Sequence, residues 1–407
     1  MTLVRAAWVV PVDQRPLADG WVAVDDGRIV AVGSGSAPAC LDGPTRNLGQ
    51  VALLPGLVNT HVHLELSWLR NRVPPSNAFT SWVTQLFAAR GASLERPDDP
   101  RVLETAAEAA KEARAAGTSA VGDIGNSLTS VLPIASSGMR GLVFHELIGF
   151  KETTGELVAR TGSAREAASR VHGRVRVSVA PHAPYSVSPE LFRAIRAEVD
   201  RSAVPFTSVH VGESPEEMEL LAAGTGEWVR ILRWIGAWRD DWQAPGTGPV
   251  EYLDGLGVID ARTMVVHGVQ LSDESLGVVR ARGATLVTCP RSNQWVGVGV
   301  PPIERFYEAG VPVAVGTDSL ASVEDLNLFS ELKAMRWLAP GVPASRLLES
   351  ATLAGARALG LDADLGSLTP GKLAEIVAVA LPEDVTDVEE HLVSGVDVRQ
   401  VSWAHQA

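Results

Sequence analysis

Eight short apolar runs, with Ala/Glu/Arg-rich helical sequence between many of them, constrain this chain more than any other feature. They are ALLPGLVNT (52–60), TSAVGDI (118–124), GLVFHEL (141–147), RVSVAPH (176–182), PFTSVHV (205–211), TMVVHGV (263–269), ATLVTCP (284–290) and VPVAVGTD (311–318). None shows the strict alternation of a strand that is wet on one side. Strands that are apolar throughout belong in a parallel sheet covered by helices. Stretches such as PRVLETAAEAAKEARAAG (100–117) and SPELFRAIRAEVDRS (188–202) supply those helices. Eight β/α units over roughly 300 residues predict an α/β fold, a (β/α)8 TIM barrel with its active site at the C-terminal ends of the strands.

The two ends of the chain read differently. WVAVDDGRIVAVGSG (21–35) alternates around an Asp26-Gly27 turn, and LGSLTPGKLAEIVAVALP (365–382) carries a Pro370-Gly371 turn before an apolar strand. Both signals mark short strands joined by tight turns. Chain termini commonly lie close together. The expected organisation is therefore a small β-sandwich domain made from 1–54 and 363–407, with the barrel occupying 55–362.

Composition excludes several classes. With 407 residues, 46% of them hydrophobic, the chain buries a core without disulfides. Its two cysteines, Cys40 and Cys289, suit a reducing compartment. A net charge of −13 argues against binding nucleic acid through its phosphate backbone. No run of 18 apolar residues is present, and the start MTLVRAAWVVPVDQRP lacks the core and cleavage site of a signal peptide. The expectation is a soluble cytoplasmic protein, with no membrane partner and an oligomeric state left open between monomer and homodimer.

The chemistry lies at the strand ends. His61 and His63 close the first run, and alternation puts both imidazoles on one face. His210 ends the fifth run, His267 the sixth and Asp318 the eighth. An isolated strand-end histidine is usually a hydrogen-bonded core residue, but four imidazoles and a carboxylate from four strands converge on one rim here. That set suits one catalytic Zn²⁺, or Fe²⁺, with a position left open for water. Four tryptophans, Trp228, Trp234, Trp238 and Trp242, crowd into residues 225–250 at spacings that fit one helix face. They read either as a covering helix or as an aromatic lid. Cys289 before Pro290 reads as a packed thiol, since no base is placed beside it.

Five segments together resemble the amidohydrolase superfamily: PGLVNTHVH (55–63), HVGE (210–213), VHG (266–268), CPRSN (289–293) and GTDS (316–319). DGRIVAVGS and LTPGKLAEIVAV match the family's small β domain. Dinuclear members carry a bridging lysine at the end of the fourth strand, where this chain has His182 in VAPHAPYS. The resemblance therefore implies a one-metal site of the deaminase and chlorohydrolase branch. By the same resemblance His61, His63, His210 and Asp318 hold the metal, and Glu213 protonates a ring nitrogen. His267 orients or deprotonates the attacking water, and Asp318 also shuttles a proton to the leaving group. Glu213 could otherwise be a solvated acid of GESPEE, a reading that suits Glu216 and Glu217 better.

HLELS (63–67), FHELIG (144–149) and ESPEE (213–217) further resemble the aminodeoxyfutalosine deaminases, which act on 6-amino-6-deoxyfutalosine in menaquinone biosynthesis. The implied partner is a small purine nucleoside-like substrate contacted by Glu65, His182, Glu146 and Ser319. Glu65 reads equally as a group orienting a ligand imidazole. Arg70, Arg72 and Arg90 are candidates for a substrate carboxylate, and Trp68 or Trp82 for a stacking face. Trp295 stands where a small aliphatic residue is more usual, which would narrow the pocket. The alternatives are an adenosine, S-adenosylhomocysteine or guanine deaminase, an s-triazine chlorohydrolase, or a metal-free barrel kept for binding.

Overall fold

The computed structural model describes residues 1–41, 43–91 and 99–404. Residue 42, residues 92–98 of the expected barrel and residues 405–407 of the expected C-terminal segment lie outside the described residues.

The N-terminal strands are β1 (Thr2–Val9), β2 (Leu17–Asp25), β3 (Arg28–Ser34), β4 (Thr45–Asn47) and β5 (Val51–Pro55). β1 pairs antiparallel with β2 along one edge. Its other edge takes β4 against Leu3–Arg5 and β5 against Trp8–Val9. The β2–β3 hairpin turns at Asp26 and Gly27, both with positive φ, as a tight two-residue turn requires.

Eight parallel strands follow. β6 (Leu57–Val62), β7 (Thr118–Gly125), β8 (Arg140–Leu147) and β9 (Val175–Pro181) pair in sequence. β10 (Thr207–Val211), β11 (Thr263–His267), β12 (Thr285–Thr288) and β13 (Val313–Val315) do the same. The two groups meet at both edges: the His210 N–H donates to His182 O at 2.9 Å, and the Asp318 N–H to His61 O at 3.0 Å. The ring is a (β/α)8 barrel with mixed helical cover. β14 (Ile376–Ala380) and β15 (Val401–Trp403) then return to the small sheet, where β14 pairs antiparallel with β5 and β15 extends the edge. Strands from both ends of the chain enclose their own apolar cluster, including Val4, Val22, Leu53, Ile376 and Ala378.

One expected strand divides in two. ALLPGLVNT serves both sheets, with β5 in the small one and β6 in the barrel. Gly56 joins the two, and only glycine fits there because a Cβ would sit 2.5 Å from the Ser119 Cβ. The expected helices form at Pro100–Ala115 and Pro189–Arg201, started by Asp99 and Ser188 side chains that accept backbone N–H groups. Among the described residues no helix is long and apolar enough to cross a membrane.

The candidate metal centre and its cavity

All four candidate ligands stand at the C-terminal mouth of the barrel. His61 lies in β6 with its ring fully buried, and neither of its nitrogens has a hydrogen-bond partner. Two orphaned nitrogens in the interior are costly unless something else meets them. His63 follows directly, its ring 4.9 Å from that of His61. The His210 ring is also 4.9 Å from His61, and its Nδ1 lies 2.8 Å from His182 O. Donation to that carbonyl fixes the tautomer and turns Nε2 toward the cluster. Asp318 presents Oδ1 to His63 Nε2 at 3.5 Å and to His61 Nε2 at 3.9 Å. Its Oδ2 accepts from Ser292 Oγ at 2.6 Å.

The nitrogen and oxygen atoms of His61, His63 and Asp318 lie close enough to share one cation, as do those of His61, His210 and His267. Burial, aided by neighbouring imidazoles, keeps the rings unprotonated. His63 is lowered to about 3 and His210 to about 4, while His61 and His267 fall well below the usual value. Neutral imidazole is the form that ligates. An orphaned buried ring, neutral neighbours and one carboxylate fit a divalent cation. A third grouping, Glu146 with His182 and His210, also lies within ligating range. It does not make a second site, because His210 Nδ1 is already engaged by the His182 carbonyl.

Two further groups face the cluster. Glu213, buried in the turn after β10, holds Oε1 3.5 Å from His267 Nε2. Burial first, then the charges of Asp318 and Glu217, pushes its carboxyl well above the usual range. His267 Nδ1 is 3.0 Å from Asn293 Nδ2, which donates to it, so Nε2 carries the ring proton. Turned end for end, the same amide would instead offer its buried, unpartnered Oδ1 to an Nδ1–H and free Nε2 as a base. His267 and Asp318 both adopt positive φ, 75° and 62°. Non-glycine residues hold that strained conformation only where their surroundings over-determine it.

The mouth opens into a cavity of about 430 Å³ lined by His63, Glu65, Glu146, His182, Glu213 and Ser319, with His210, His267 and Asp318 at its floor. Its outer wall is apolar, built from Phe79, Trp82, Leu86, Phe150, Trp228 and Leu232. Trp228 stacks on Tyr185 with centroids 4.0 Å apart. The tryptophan segment thus contributes a wall, but not as one helix face. The helix is Glu227–Trp234, Trp234 is exposed, and Trp238 and Trp242 lie beyond it against Phe150.

Several other expectations are corrected. Glu65 lines the cavity but orients no imidazole; it accepts from Asn126 N, Ser127 N and Ser127 Oγ, tying down the loop after β7. Glu146 accepts from Asn126 Nδ2 through Oε2 and leaves Oε1 buried without a hydrogen bond. Trp295 does not narrow the pocket, since its Nε1 donates to Val73 O and it is not part of the lining. Glu217 is not solvated but fully buried. Of the three arginines only Arg90 reaches the cavity; Arg70 pairs with Glu112 and Arg72 lies over Trp68. Cys289 is buried, as a packed thiol should be. Ser292 and Asn293, within CPRSN, contact Asp318 and His267 respectively, roles the motif alone did not define.

A parallel barrel with a buried His/His/Asp cluster at its C-terminal mouth defines a barrel enzyme with a metal-binding centre. The chain belongs to the Amidohydrolase family, whose model matches residues 52–401, and it is a hydrolase acting on carbon–nitrogen bonds. It is similar to the 5-methylthioadenosine/S-adenosylhomocysteine deaminase of Moorella thermoacetica, 29% identical over 406 residues covering 96% of this chain and 89% of that one. Among solved structures it resembles an adenosine deaminase from Xanthomonas campestris with bound zinc. The identity is 29% and the TM-score 0.84, over 99% of this chain and 91% of the other. It also resembles the aminofutalosine deaminase of Helicobacter pylori in complex with methylthio-coformycin. There the identity is 25% and the TM-score 0.85, over 99% of this chain and 97% of the other.

Proposed function

We propose that this chain is a one-metal hydrolytic deaminase of an aminopurine nucleoside, with 6-amino-6-deoxyfutalosine as its substrate and futalosine and ammonia as products. In this reading it serves menaquinone biosynthesis in the cytoplasm. The observation that carries the reaction type is the buried Glu213 carboxyl, 3.5 Å from His267 Nε2 and beside the His/Asp cluster, its hold on a proton strengthened by burial. A buried acid whose pKa is raised is suited to donate a proton to a ring nitrogen.

His61, His63, His210 and Asp318 would hold one divalent ion, zinc by its likeness to the zinc-containing neighbour. When bound, the ion supplies a nucleophile by lowering the pKa of water from about 15.7 to about 7. The remaining steps belong to side chains. His267 orients the attacking water against the amine-bearing carbon. Glu213 gives its proton to the adjacent ring nitrogen as the C–O bond forms. Asp318 takes the proton given up by the attacking water and passes it to the amine, which leaves as ammonia when the C–N bond breaks, while the adduct's hydroxyl proton returns to Glu213 as the C=O bond forms.

The substrate assignment draws on the cavity. Its apolar wall suits an aryl extension at the nucleoside's 5′ end, and Arg90 makes no hydrogen bond or ion pair among the described residues. Its guanidinium feels the charges of Glu65 and Glu146, and beside the apolar wall it could also meet a substrate carboxylate. His182, with Nδ1 2.6 Å from Ser186 Oγ, turns its other nitrogen to the cavity. His182, Glu146 and Ser319 would contact the nucleoside, and Glu65 would shape the loop beside it.

Ammonia release should be measured on aminodeoxyfutalosine, adenosine, methylthioadenosine, S-adenosylhomocysteine, guanine and a chlorotriazine, with chloride release for the last. Preference for aminodeoxyfutalosine is expected; equal turnover of guanine or the triazine would overturn the assignment. Glu213→Gln should retain metal and lose about 10²- to 10⁴-fold in rate. An active variant would remove Glu213 from the mechanism.

A further inference from the structure

We infer that Glu217 is a positioning residue that sets the aim of Glu213, an inference that rests on Glu213 being the proton donor. Glu217 lies one turn into the helix Pro215–Ala223, whose first N–H groups are capped by Ser214. The sequence Ser214-Pro215-Glu216-Glu217 has the spacing of a capping box, in which the third helical residue bonds back to the backbone of the cap. Here the carboxylate reaches further. Oε1 accepts from Gly212 N and Oε2 from Glu213 N, each at 3.0 Å.

The residue so gripped stands in a turn with little freedom elsewhere. Gly212 has φ +60°, and a Cβ on it would lie 2.5 Å from Leu271 Cδ2. Its carbonyl accepts from Gln270 N at 2.8 Å. One side of the Gly212–Glu213 peptide is therefore pinned to the segment after β11, and the other to Glu217. Glu217 itself is fully buried. Without its carboxylate, the two N–H groups would face the interior with no acceptor, and the turn would rotate to find one. That rotation would swing the Glu213 carboxyl away from His267. Since the reacting groups must be held to a fraction of an ångström, the cost falls on turnover.

The test is a double-mutant cycle of Glu217→Gln and Glu213→Gln, read as kcat, KM, metal content and thermal midpoint. The glutamine at 217 keeps shape but offers one acceptor in place of two. Alone, Glu217→Gln should lower kcat about 10- to 100-fold with metal content and KM little changed. In the Glu213→Gln background it should cost less than about twofold, because the group it aims is already disabled. Additive losses, or full activity of Glu217→Gln, would overturn the inference while leaving Glu213 as donor. An active Glu213→Gln single variant would overturn both. Should the glutamine variant not fold, Glu217→Asp keeps the charge but is a methylene too short for both N–H groups. It should show the same kcat loss, and full activity there would equally refute the inference.

Discussion

Removing the Ser292 hydroxyl tests whether the cluster at the barrel mouth is a metal site tuned from outside its ligands. Ser292 Oγ donates to Asp318 Oδ2 at 2.6 Å, leaving Oδ1 to face His61 and His63. A hydrogen bond to a charged group contributes about 1.5–3 kcal/mol. At about 1.4 kcal/mol per tenfold, Ser292→Ala should weaken binding about 10- to 100-fold, the range found for outer partners of metal ligands. Ser322 Oγ lies 2.8 Å from Ser292 Oγ and also acts to lower the Asp318 carboxyl, so the single variant should fall near the lower end. Adding Ser322→Ala should move it toward the upper end. The assay is zinc titration of metal-stripped protein against a chromophoric chelator, with thermal unfolding as a check that the fold is intact. The pH dependence has a definite sign. Burial already raises the Asp318 carboxyl, and Ser292 acts to lower it. Loss of the bond raises it further, so the deficit in affinity should grow as the pH falls from 8 to 6. Equal zinc affinity for wild type and double variant at both pH values would refute the reasoning.

Arg90→Gln should raise KM for a nucleoside bearing a 5′ carboxylate about 10- to 100-fold and leave adenosine turnover unchanged; equal effects on both substrates would remove Arg90 as an anion anchor. Metal-free protein should lose stability through its imidazoles as the pH falls below about 6.5. His63, lowered to about 3, and His182 and His210, lowered to about 4, stay neutral when folded but would take protons when unfolded. Asp123, Glu146 and Glu217, raised to about 7, act oppositely, and their contribution fades as the pH rises from about 4.5 toward 7. Urea unfolding of the metal-free His182→Gln variant should show a shallower decline between pH 6.5 and 4 than wild type; an unchanged slope would exclude His182 as a contributor.

The strand-end histidines were legible because position alone determines where they point. A strand alternates with period two and a barrel gathers its C-terminal ends, so His61, His63, His210, His267 and Asp318 could converge in only one place. The groups around them were not legible, for a different reason. Ser292, Asn293 and Glu217 act through one or two hydrogen bonds each, whose partners are set by local backbone path. Glu217 sits in a run of acids that composition would assign to the surface, yet the turn at Gly212 draws it inside. Arg90 differed from Arg70 and Arg72 only in facing the cavity, which depends on how the helix Phe79–Arg90 is rotated. Trp238 and Trp242 were misplaced because their spacing continues a helical rhythm past the residue where the helix stops. The division of ALLPGLVNT was hidden too, since an apolar run carries no mark of which sheet it joins.

That division bears on the order in which the site can be completed. β5 and β6 are neighbours in sequence, but β5 lacks its β14 partner until residues 376–380 arrive, and His61 lacks Asp318 for nearly as long. Contacts so distant along the chain form slowly, because the intervening loop must first be closed. A nascent chain would thus expose His61 in β6 and His63 just after it well before the barrel could close around them. Productive loading with metal is then an event of the nearly finished polypeptide, and truncation in the last strands should impair metal retention at a distance from the mouth itself.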